Sequence, residues 1–98
     1  MTITKNQNGT DLALALEGRL DTMTAPELEQ ELNQSLDGVE SLTLECKKLD
    51  YISSAGLRVL FSAHKIMSKR SGLKLKNVNE IVKEVFDVTG FTEIFAIE

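Results

Sequence analysis

The apolar residues of this chain change their spacing as the sequence proceeds, and that change is the tightest constraint on its fold. Leu12, Leu14 and Leu16 recur every second residue. Leu28, Leu32 and Leu36 recur every fourth. Ser41-Leu42-Thr43-Leu44-Glu45-Cys46 alternates again, and Gly56, Val59, Leu60, Ala63, Ile66 and Met67 return to helical spacing. A period of two places side chains on one face of a strand, and a period near 3.6 places them on one stripe of a helix. Strands and helices that alternate in this way imply an α/β fold, with helices packed on a largely parallel or mixed central sheet.

Local signals refine the pattern. Ile3 belongs to a first strand, and Asn8-Gly9 is a hairpin turn leading to the strand of Leu12, Leu14 and Leu16. Ala13 and Ala15 make the second face of that strand close-packed. Thr24-Ala25-Pro26-Glu27 fits a capping box that opens the first helix, with Pro26 in the first turn. Asp37-Gly38 ends that helix. The third strand covers Ser41 to Cys46, and a loop through Lys47, Lys48, Leu49 and Asp50 leads to Tyr51-Ile52-Ser53-Ser54. The second helix runs to about Ser71, with Arg58, Ser62, Lys65 and Lys69 as its polar stripe. Lys69 and Arg70 suit the negative end of its own dipole, and Gly72 suits a left-handed cap. Leu73 to Lys76 is a short strand. Asn79 caps a third helix whose inward residues are Ile81, Val82, Val85, Phe86 and Thr89. Gly90 ends it, and Phe91 to Ile97 forms a last strand. The predicted order is β-β-α-β-α-β-α-β.

Ninety-eight residues with 42% hydrophobic content suffice for one domain, expected over residues 1–98. The chain has 15 acidic and 11 basic residues, a formal net charge of −4, which argues against a nucleic-acid partner. No stretch is apolar enough to insert in a membrane, and the N-terminus lacks a signal-peptide core. One cysteine, Cys46, rules out an internal disulfide and reads as a half-buried strand residue. A reduced, cytoplasmic location is expected. No P-loop, dinucleotide-binding or metal-spaced motif occurs, so neither cofactor nor metal is expected.

In an open α/β sheet, sites form at the carboxyl ends of strands, where loops meet helix N-termini. Two such junctions carry polar residues: Leu20-Asp21-Thr22 and Asp50 to Ser54. Either Ser53 or Ser54 can be the N-cap of the second helix, and capping alone would explain one serine. Gly56, one turn into that helix, costs up to about 1 kcal/mol against alanine. Close packing on a strand would justify it, and so would close approach of a partner. A phosphoserine here would add nearly two negative charges at a helix end that tolerates them. Asp21 and Asp50 are expected nearby, so the charge would deepen an acidic patch.

The run Leu49-Asp50-Tyr51-Ile52-Ser53-Ser54-Ala55-Gly56-Leu57-Arg58-Val59-Leu60 resembles the signature of bacterial anti-sigma-factor antagonists of the STAS class. Ser54 falls on that family's phosphorylated serine and Gly56-Leu57 on its Gly-Leu pair. Gly18-Arg19-Leu20-Asp21 resembles its Gly-x-Leu-Asp, which places Asp21 on the acidic residue beside the switch serine. Val85-Phe86-Asp87-Val88-Thr89-Gly90-Phe91 resembles the end of its C-terminal helix. Many phosphorylated members carry Asp where this chain has Ser53, which makes Ser53 a second candidate acceptor. The resemblance implies a single STAS domain that binds an anti-sigma factor, itself a serine kinase, and thereby releases a sigma factor. ATP-Mg-dependent phosphorylation ends the binding, and a serine phosphatase restores it. The implied partner surface comprises Asp21, Thr22, Asp50, Ser53, Ser54, Gly56, Leu57, Arg58 and Phe61, on a monomer or weak dimer. The alternative is an unphosphorylated STAS accessory subunit of a membrane transport ATPase or signalling scaffold.

An enzyme is not expected. The only histidine, His64, would be the base for Ser54, but ten residues of helix separate them by roughly 15 Å. A base must lie within about 3 Å.

Overall fold

The computed structural model describes residues 1–98. Its elements are β1 (Thr2–Asn8), β2 (Asp11–Leu20), α1 (Ala25–Ser35), β3 (Ser41–Ile52), α2 (Ser54–Met67), β4 (Gly72–Lys76), α3 (Glu80–Thr89), a 3-10 turn (Phe91–Glu93) and β5 (Ala96–Ile97). The strands form one sheet in the order β1-β2-β3-β4-β5. β1 and β2 form the antiparallel hairpin, and every later pairing is parallel. The predicted order of elements is therefore the observed one.

One face of the sheet carries the core. Leu12, Leu14, Leu16 and Leu20 of β2 lie beside Leu42, Leu44, Cys46, Leu49 and Ile52 of β3 and Leu73 and Leu75 of β4. Leu28 and Leu32 of α1, Leu57, Val59, Leu60, Ala63 and Met67 of α2, and Val82 and Phe86 of α3 close over them. Fully burying one such side chain stabilises the fold by about 1.5–3 kcal/mol. The other face carries half-buried Ala13, Ala15, Thr43 and Glu45, with Lys74 and Lys76 exposed.

Several expectations are corrected. β3 does not stop at Cys46 but continues through Lys47, Lys48, Leu49 and Asp50 to Ile52. Its register against β2 shifts twice, between Ala15 and Glu17 and between Gly18 and Arg19, and these irregularities break the alternation that marks a strand. α2 ends at Met67 rather than near Ser71, and Gly72, with φ 106°, opens β4 rather than closing the helix. Arg70 donates to the carbonyls of Leu36 (2.6 Å) and Val39 (2.8 Å), so it serves the C-terminal end of α1 instead of its own helix. Ile66 is exposed, as is Ile81 in α3. Residues 91–93 form a 3-10 turn, which leaves only Ala96 and Ile97 for the last strand. Cys46 is fully buried, and burial together with the neighbouring Glu45 carboxylate pushes its thiol up to about 12.

Candidate functional site

The parallel pairing of β2 and β3 brings the two polar junctions together. Leu20 pairs with Ile52, and the N–H of Ser53 donates to the carbonyl of Leu20 at 2.9 Å. The Asp21 loop and the start of α2 therefore leave adjacent strands at the same end of the sheet.

The Asp21 loop is built around its own carboxylate. Oδ1 of Asp21 accepts from the N–H of Met23 (3.0 Å) and of Thr24 (3.2 Å). Thr24 was expected to cap α1 through a box with Glu27, but its hydroxyl makes no capping bond. It donates instead to the carbonyl of Arg19 (2.7 Å) and accepts from the N–H of Asp21 (2.9 Å). Asp21, three residues before Thr24, takes the Thr24 N–H that Glu27 would have accepted in the box, and the Glu27 N–H donates to the Thr24 carbonyl at 2.9 Å. Partial desolvation works against the charged form of Asp21. The N–H donors of Met23 and Thr24, the Thr24 hydroxyl and the charge of Arg19 outweigh it and hold the carboxyl below its ordinary value. The Arg19 guanidinium sits 3.6 Å from Asp21 Oδ2 and 4.5 Å from the centre of the Tyr51 ring, so it ties the end of β2 to the end of β3.

The Asp50–Ser54 stretch contracts to a single connecting residue. Asp50, Tyr51 and Ile52 belong to β3, and only Ser53 separates the strand from α2. Asp50 is exposed at the bulge, between Leu49 and Tyr51, which pair with Gly18 and Arg19. Ser53 has the extended backbone of an N-cap, yet its hydroxyl makes no capping bond. That oxygen is sealed from solvent without a hydrogen-bond partner. Ser54 is the first residue of α2 and is exposed.

The remaining candidates divide between surface and core. Thr22 and Arg58 are exposed. Phe61 is half-buried, 5.6 Å from the ring of Phe91, with the Lys65 ammonium 5.2 Å above it. Leu57 is 3% exposed and belongs to the core, which corrects its place on the partner surface. Gly56 is also buried. A Cβ on it would stand 2.7 Å from Leu20 Cγ, 2.8 Å from Ile52 Cγ1 and 3.0 Å from the Leu20 carbonyl oxygen. Close packing of α2 on the ends of β2 and β3 is thus what requires glycine there. His64 packs beside Phe61 and against the edge of Phe95 within an aromatic cluster.

Met23 also belongs to this loop. It is 83% exposed, at the crest of the loop that Asp21 organises. A lone methionine between two threonines carries no period that would mark it.

The family model for the STAS domain matches residues 2–98. A candidate anti-sigma factor antagonist of Bordetella bronchiseptica, BtrV, is 39% identical over 88 residues, 88% of this chain and 76% of that protein. The anti-sigma-B factor antagonist of Bacillus subtilis is 33% identical over 92 residues, 93% of this chain and 84% of that protein. The crystal structure of an anti-sigma factor antagonist from Mycobacterium paratuberculosis superimposes with a TM-score of 0.88 at 21% identity, covering 98% of this chain and 83% of that one. The chain belongs to the STAS-domain family of anti-sigma factor antagonists.

Proposed function

We propose that this chain is an anti-sigma factor antagonist whose partner binding is switched by phosphorylation of Ser54. The observation that carries the choice of serine is the contrast between two adjacent hydroxyls. Ser54 is exposed at the start of α2, whereas the Ser53 oxygen is sealed from solvent. A kinase active site must reach the oxygen that attacks the γ-phosphoryl group of ATP-Mg, and only Ser54 offers one without rearrangement. The free N–H groups and dipole at the start of α2 tolerate the added charge, so the domain survives modification and the partner feels it.

The unphosphorylated form binds an anti-sigma factor that is also a serine kinase, and a sigma factor is released. The kinase transfers a phosphoryl group to Ser54, the complex dissociates, and a serine phosphatase returns the free hydroxyl. The surface for this contact combines Asp21, Thr22 and Met23 with Ser54 and Arg58, and Phe61 at its margin. The cycle runs in the cytoplasm. No helix of the chain is long and apolar enough to cross a membrane.

The test is incubation of the purified chain with ATP-Mg and its cognate anti-sigma kinase, followed by mass spectrometry. One phosphate on Ser54, absent from Ser54→Ala, is expected. Phosphate on Ser53 would overturn the assignment of the acceptor. No phosphate on either serine would overturn the switch and favour a constitutive subunit.

A further inference from the structure

A phosphoryl group on Ser54 would set nearly two negative charges on the first turn of α2. The structure offers one uncommitted cation in the next turn. Arg58 follows Ser54 by four residues in an unbroken helix, and both side chains are exposed. Residues four apart lie on one helix face, with Cβ atoms about 5–6 Å apart. Helical side chains tilt toward the N-terminus, so a long side chain at position 58 covers the surface above position 54. The Arg58 side chain makes neither an ion pair nor a hydrogen bond, whereas Arg19, across the junction, is held by Asp21 and the Tyr51 ring. Lys65, about three turns from Ser54, lies over Phe61. Asp21, on the adjoining loop, already has Arg19 as its counter-ion.

We propose that Arg58 is the intramolecular counter-ion of the Ser54 phosphate. Phosphorylation then acts on the partner surface twice: it adds charge at Ser54, and it draws Arg58 out of the surface that the unmodified protein presents. Guanidinium suits this role because its planar fork can hold two phosphate oxygens at once. The inference rests on Ser54 being the acceptor, but its test does not need the kinase.

Phosphoserine can be installed at position 54 during translation and the phosphorus resonance followed against pH. The second ionisation of free phosphoserine lies near about 6. It should fall below that value in the otherwise unchanged chain. Arg58→Ala should raise it by about 0.3–0.5 unit, the size of an exposed but well-oriented pair, with Arg58→Lys in between. Thermal melting should show the phosphorylated chain gaining about 1–3 °C over its unmodified form, with most of that gain lost in Arg58→Ala. Superimposable titration curves for the chain and Arg58→Ala would overturn the proposal. A kinase that leaves Ser54 unmodified would overturn the acceptor assignment instead, and mass spectrometry reads that separately.

Discussion

Replacing Gly56 by alanine tests why a glycine stands one turn into α2. Two opposing effects set the outcome. Alanine at a helix interior is favoured over glycine by about 1 kcal/mol. Against that, the new methyl would lie 2.7 Å from Leu20 Cγ, 2.8 Å from Ile52 Cγ1 and 3.0 Å from the Leu20 carbonyl oxygen. The two side-chain atoms are themselves fully buried, and the third neighbour is backbone whose residue also accepts the Ser53 N–H. None of the three can step aside freely, so the overpacking cost belongs at the upper part of the usual range of about 1–3 kcal/mol. The net expectation is a loss of about 1–2 kcal/mol. For a domain of this size that lowers the melting temperature by roughly 5–15 °C. Urea unfolding followed by circular dichroism measures the loss directly, with an unchanged m-value showing that the same cooperative unit unfolds. A Gly56→Ala protein as stable as the parent, or more stable, would refute the packing argument. The glycine would then have to be explained by what approaches α2 from outside.

Three further outcomes are expected. Ser53→Ala removes a buried hydroxyl that has no partner, so stability should stay within about 0.5 kcal/mol or rise slightly, whereas loss of a working cap would cost about 1 kcal/mol; chemical denaturation separates the two. Asp21 has a folded-state pKa below its unfolded value, so its contribution is present above the unfolded pKa of about 3.9 and is lost as pH falls through the lower folded value. Asp21→Asn should flatten stability against pH in that acidic window, as read from melting curves between about pH 2 and 6. Met23→Ala should leave the melting temperature unchanged, because the side chain is 83% exposed, yet should weaken binding to the anti-sigma kinase by about tenfold in calorimetry.

Much of this fold was legible because its strongest signals are runs of leucine at a clear period. Leu12-Leu14-Leu16 and Leu28-Leu32-Leu36 each declare one face, and both faces are buried as expected. The second half of β3 was not legible, because its bulges put Lys47 and Lys48 in succession where a regular strand would alternate. α3 failed differently. Ile81 and Val82 are equally apolar, and only the tertiary packing puts Val82 at 0% exposure and Ile81 at 59%. The site shows the same division. Residue types placed Asp21 and the serine pair at neighbouring strand ends, and the parallel register of β2 and β3 joins them there. Which serine is exposed could not be read from two identical neighbours, since it depends on how a one-residue connection turns from strand to helix. Thr24 departs from its expected capping role for a related reason. A capping box and an Asp-centred turn use the same residue types, and here Asp21 takes the Thr24 N–H while the Glu27 N–H goes to the Thr24 carbonyl.

On the proposed reading, charge on Ser54 controls partner binding. Calorimetric titration of the anti-sigma kinase with the unmodified chain and with the chain carrying phosphoserine at position 54 tests it most directly. Tight binding of the unmodified form and a loss of at least about a hundredfold on phosphorylation are expected, the size that follows when a doubly charged group must be desolvated in a contact. Equal affinities for the two forms would contradict it.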